Sequence, residues 1–132
     1  MASLRNERRI GAHADTVWNV VRRPESIPEW FPGIVSCRVE GTQRTITTAA
    51  GLEIPEEILA SDDSLRRFAY RIVAPAYRFH LGTIDVIDLG PHDSLCIYST
   101  TAEPDFLALV ISGATVDALG QIERLALQAS RG

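Results

Sequence analysis

From Ile34 to Glu103 apolar residues recur at every second position, and turn-forming residues interrupt them at short intervals. A strand with one buried face writes that alternation into its sequence. Val35, Cys37 and Val39 alternate with polar neighbours, and Gly41-Thr42-Gln43 then offers a hairpin turn. A Thr- and Ile-rich strand follows and ends near Gly51; the next runs from about Glu53 to Ala60, with Pro55 near its start. After the turn Ser61–Ser64, Phe68, Tyr70 and Ile72 alternate with Arg67, Arg71 and Val73. A long strand covers 77–89, where the apolar phase slips near Gly82 and predicts a β-bulge or sharp bend. Gly90-Pro91-His92-Asp93 turns into the last strand, 94–103. A chain with this many successive strands is confined to an antiparallel sheet.

Helical spacing occurs only at the flanks. Ala14, Val17, Trp18 and Val21 recur at helical intervals until Pro24, and Trp30-Phe31 between Pro28 and Pro32 permits only a short helix or turn. A weak extended segment, with Leu4 and Ile10 on one face, precedes them. After Pro104 one stripe (Ile111, Ala114, Ala118, Ile122, Leu125, Ala129) marks a long C-terminal helix. Strands grouped together with helices at the ends predict an α+β fold: one domain over 1–132, a curved seven-stranded antiparallel sheet around the long helix, and two short helices between strands 1 and 2.

Composition then removes mechanisms. All thirteen basic residues are Arg, so no lysine is present for Schiff-base chemistry. A net charge of -4 speaks against a nucleic-acid partner. Cys37 and Cys96 lack a paired spacing and predict free thiols; His13, His80 and His92 are scattered, so no metal and no cofactor is expected. No G-x-S-x-G elbow, P-loop or dinucleotide fingerprint occurs. The polar N-terminus carries no signal-like apolar core, and the apolar run Phe106–Ile111 is shorter than a membrane span, which together predict a cytoplasmic protein without membrane insertion.

Particular runs also resemble a known family. I-G-A-H-A-D-T-V-W-N-V-V, I-P-E-W-F-P-G-I, E-E-I-L-A-S-D-D-S-L-R-R-F-A-Y-R-I, H-L-G-T-I-D-V and C-I-Y-S-T-T-A-E-P are similar to the START-like (SRPBCC) superfamily, in its bacterial polyketide cyclase/dehydrase-like branch. The resemblance covers nearly the whole chain and implies the helix-grip fold, with an enclosed apolar cavity between the sheet and the last helix. It departs at Tyr98, where relatives commonly carry Trp.

Such a cavity gives the polar residues of the strands a candidate role. Trp30 and Phe31 would form its rim, Phe68, Tyr70, His80 and Tyr98 its wall, and Ile111, Thr115 and Leu119 its lid. The leading expectation is binding or transport of a small hydrophobic molecule that is lipid-, polyketide- or isoprenoid-like. The alternative is a cyclase or dehydrase in which His80 or Glu57 removes a proton and the hydroxyl of Tyr98 or Tyr70 holds the developing oxyanion. Each of these residues has a plain structural reading as well: a satisfied wall histidine, a solvated carboxylate, core aromatics. A third expectation is an interaction protein, monomer or homodimer, using an apolar patch along Phe106 to Val110.

Overall fold

A computed structural model describes residues 1–131 of the chain. In order come β1 (Ala2–Ile10), α1 (Ala14–Val21), a 3₁₀ helix (Pro24–Glu29), β2 (Ile34–Glu40), β3 (Gln43–Thr48), β4 (Glu53–Asp62), β5 (Arg67–Ile72), β6 (Phe79–Gly90), β7 (Asp93–Glu103) and α2 (Asp105–Arg131). The strands form one antiparallel sheet in the order β1-β7-β6-β5-β4-β3-β2. It is the α+β helix-grip arrangement: the concave face holds the core, and α2 packs against β1, β7 and α1.

Local chemistry accounts for the elements. His13 caps α1 through Nδ1, which accepts the Asp15 backbone N–H at 3.0 Å. The β2–β3 hairpin closes through Gly41, whose φ of +60° lies in the left-handed region that glycine enters without a Cβ clash. Register shifts occur at Ile34/Ser36, Ile58/Ala60 and Asp88/Gly90, and such irregularities bend the strands around the core. The first of them turns Val35 outward, away from the face its alternation suggested.

Two expectations need correcting. At Gly82 there is no bulge, for β6 pairs with β7 in unbroken register from Phe79 to Asp88. The apparent phase slip arises because Phe79 and Ile87 are apolar on the outer face while Ile84 and Val86 fill the inner one. The glycine serves the packing of another residue: a Cβ there would stand 2.6 Å from Cζ of Tyr70.

The second correction concerns α2, which buries Ala108, Thr115, Ala118, Leu119, Ile122 and Ala126. Ala118 and Ile122 match the expected stripe, Ile111 and Ala114 lie at its edge, and Ala129 is exposed. The helix is seated by Asn6 of β1, whose Nδ2 donates to the Ser112 carbonyl at 3.2 Å and to the hydroxyls of Ser112 and Thr115 at 2.9 Å each. Taken whole, α2 is long and apolar enough by composition to cross a bilayer, unlike the short run Phe106–Ile111 within it. Here it is the helix that the sheet grips.

Candidate functional site

Between the sheet and the first half of α2 lies a cleft of about 410 Å³, within the usual range of small-molecule sites. Ile46 and Thr48 of β3, Ile54 and Glu56 of β4, Tyr70 and Ile72 of β5, and Ile111 and Ala114 of α2 form much of its wall. Phe31 and Ile34 close one end, and Tyr77, from the β5–β6 connection, reaches it as well. Thr48, Glu56, Tyr70 and Tyr77 are its polar side chains. The mouth opens past Pro32, Ala49, Ala50 and the 68% exposed Val110. The enclosed cavity expected from the sequence is therefore an open cleft.

A buried ion pair underlies the cleft. Arg44 and Glu56 are register partners on β3 and β4, and both point inward because they share the faces of Ile46 and Ile54. Arg44 Nε donates to Glu56 Oε1 at 2.8 Å, and the two side chains are 1% and 2% exposed. Nη1 donates to the Pro24 carbonyl at 2.9 Å, and the guanidinium carbon lies 5.3 Å and 5.0 Å from the ring centroids of Phe68 and Tyr70. Nη2 is 2.6 Å from the same Oε1, yet out of the direction a hydrogen bond needs. Burial pushes the Glu56 carboxyl up from its ordinary value, and the adjacent Arg44 opposes that shift. Isolated, either charge would be prohibitively costly in this apolar setting.

Beside the pair, the hydroxyls of Tyr70 and Tyr98 meet at 2.6 Å. Both rings are buried, and burial raises both phenols well above their ordinary value. Tyr98 sits one layer deeper, edge-on to Trp30 and Phe31 with centroids 6.2 Å and 6.3 Å away. Trp30 is anchored by its own indole N–H, which donates to the Ser26 hydroxyl at 3.1 Å.

His80 occupies a different layer. The β5–β6 ladder ends at Tyr70 and Gly82, and beyond it the His80 ring replaces a backbone acceptor: Nδ1 takes the Ile72 N–H at 2.9 Å. That bond leaves the proton of the neutral ring on Nε2, which is buried without a partner among the described residues. Burial depresses the imidazole to about 4 from an ordinary 6.5. His80 borders a second hollow, of about 360 Å³, beneath the connection Val73–Arg78. Tyr77 and Ile72 separate that hollow from the cleft and line both.

The nominated residues thus divide. Phe31, Tyr70 and Ile111 line the cleft, while Trp30, Phe68 and Tyr98 back it as core. Thr115 is wholly buried and bound to Asn6 and the Ser112 carbonyl, so it fastens α2 to β1. Glu57 lies on the outer face, where Oε2 accepts from Arg71 Nε at 2.9 Å and Nη2 at 2.6 Å. Strand alternation puts Glu56 inside and its neighbour outside, so the cleft carboxylate belongs to Glu56. His80, Glu57 and Tyr98 do not converge on one point. Arg44, Glu56 and Tyr77 were missed by the sequence reading.

Residues 1–127 match the protein family described as polyketide cyclase / dehydrase and lipid transport. The chain belongs to that family. Among solved structures, a protein of Bacillus thuringiensis is 26% identical, with a TM-score of 0.86 over 96% of this chain and 99% of its own. The protein XoxI of Bacillus cereus is 24% identical, with a TM-score of 0.89 over 98% and 99% of the two chains. Norcoclaurine synthase of Thalictrum flavum, in complex with a transition-state analogue, is 20% identical with a TM-score of 0.77 over 98% and 96%. Such distant likenesses speak for the fold, which is also that of a START superfamily protein of Mycobacterium smegmatis, 16% identical with a TM-score of 0.77 over 96% and 98% of the two chains. No curated protein matches the sequence.

Proposed function

We propose that this member of the family binds or carries a small hydrophobic molecule in the cleft between the sheet and α2. The observation that carries the reading is the lining itself: about 410 Å³ walled mostly by Ile, Ala, Phe and Val, with a few polar side chains among them. Lipid-, polyketide- and isoprenoid-like molecules suit such a lining, and the family description includes lipid transport. A cyclase or dehydrase using His80, Glu57 and Tyr98 has less support, because Glu57 pairs with Arg71 outside and His80 lies in another layer.

The neutral fluorophore N-phenyl-1-naphthylamine tests the reading. It should bind with one-to-one stoichiometry and brighten on transfer from water. Ala114→Phe, which places a ring in the cleft, should weaken it by tenfold or more while leaving the fold intact by circular dichroism. Absence of binding to the parent protein, or undiminished binding to the variant, would remove the cleft as the site.

A second reading draws on Phe106, Leu109 and Val110, which are 60–68% exposed along one stretch of α2. These residues suit a partner chain. A monomer that persists at high concentration in light scattering would remove the homodimer form of it.

A further inference from the structure

The polar floor of the cleft is asymmetric, and the asymmetry selects a ligand head group. Arg44 is sealed: its side chain is 1% exposed, and the unsatisfied Nη2 is buried behind Glu56. Glu56, by contrast, contributes to the cleft wall. Its Oε1 is taken by Arg44, while Oε2 accepts from no donor among the described residues. The cleft therefore meets an acceptor whose charge is already balanced from behind.

Tyr70 supplies the complementary group. Within the protein the Tyr98 hydroxyl has the Tyr70 hydroxyl as its partner, and both lie at the same 2.6 Å contact. Either hydroxyl can be the donor of this contact, and when Tyr98 donates, Tyr70 accepts. The Tyr70 proton is then free to point elsewhere, and Tyr70 lines the cleft. Tyr70 and Glu56 are diagonal neighbours across β4 and β5 and flank the same guanidinium.

We infer that the ligand of this cleft is an apolar molecule bearing a neutral hydroxyl, which donates to Glu56 Oε2 and accepts from the Tyr70 hydroxyl. This rests on the binding reading above and narrows it. An ether or ketone oxygen can only accept and leaves Glu56 without a donor. A carboxylate sets its charge against that of Glu56, with the Arg44 guanidinium out of reach. An ammonium group can only donate, which leaves Tyr70 without an acceptor.

The test is competition against N-phenyl-1-naphthylamine at pH 7 by three ligands of similar length: decan-1-ol, methyl nonyl ether and decanoate. A hydrogen bond to a charged group is worth enough that the alcohol should bind at least about tenfold tighter than the ether. Decanoate should bind more weakly than either. In the double variant Arg44→Met/Glu56→Leu, which replaces the pair by apolar side chains, alcohol and ether should compete equally. Alcohol and ether within about twofold on the parent protein would overturn the inference and leave the binding reading standing, as would tenfold discrimination that survives in the double variant. Failure of the fluorophore itself to bind would overturn the binding reading and the inference with it.

Discussion

The buried imidazole of His80 makes the stability of the protein depend on pH in a calculable way. Its folded-state value lies near 4 because burial penalises the charged ring, whereas in the unfolded chain it returns to about 6.5. Above pH 6.5 the ring is neutral in both states and contributes no pH dependence. As pH falls from 6.5 toward 4 the unfolded chain takes up a proton that the native state refuses, so native stability is lost across that window. Each pH unit is worth about 1.4 kcal/mol, so the full interval costs roughly 3 kcal/mol, complete near pH 4. Urea unfolding of the parent protein and of His80→Asn, followed from pH 7 to pH 4, isolates the effect, because the carboxylates, His13 and His92 are common to both. The variant should lose about 3 kcal/mol less than the parent over that range, whatever the substitution costs at pH 7. With typical urea slopes this moves the midpoint difference between the two by about 1–3 M. Parallel curves, or an imidazole that titrates near 6.5 by NMR, would refute the burial of the His80 ring beside the second hollow.

Two further substitutions probe the floor of the cleft. Gly82→Ala drives a methyl group to within 2.6 Å of the Tyr70 ring and should cost about 1–3 kcal/mol in chemical denaturation. In a Tyr70→Ala background the same change should be close to neutral, and equal costs in both backgrounds would show that the ring is not the obstacle. Arg44→Met alone strands the Glu56 carboxylate and should cost about 3–5 kcal/mol, whereas Arg44→Met/Glu56→Leu should recover most of that loss. Glu57→Gln, on the outer face, should stay within about 0.5 kcal/mol of the parent, and a larger loss would contradict its exposed pairing with Arg71.

The architecture was legible because its signals are local. Turn residues divide the strands, Pro24 and Pro104 bound the helices, and the period changes where the elements change. What failed was phase: at Val35, which the register shift at Ile34/Ser36 turns outward, and in two places where apolar residues occupy both faces. On β6, Phe79 and Ile87 outside and Ile84 and Val86 inside imitate a slipped register, and only the Tyr70 ring over Gly82 explains the glycine. Around α2, Phe106, Leu109, Val110 and Val116 are exposed although apolar, so the hydrophobic pattern alone does not say which face the sheet will grip. Asn6 settles that through its hydrogen bonds to Ser112 and Thr115, a contact between residues more than a hundred positions apart.

The candidate site was partly legible for the same reason. Ile54, Glu56 and Ile58 share a parity on β4, and Arg44, Ile46 and Thr48 share one on β3, so the inward phase of both chargeable residues was present in the alternation. Propensity argued the other way, since buried Arg and Glu are rare unless paired. Pairing is a property of register, and register becomes visible only when β3 and β4 are laid side by side with Arg44 opposite Glu56. The position one residue later meets Arg71 from β5 on the opposite face and becomes an ordinary surface ion pair. A shift of a single residue thus separates a solvated carboxylate from the one that faces the cleft. That is why the strands could be located from the sequence while the carboxylate that serves the site could not.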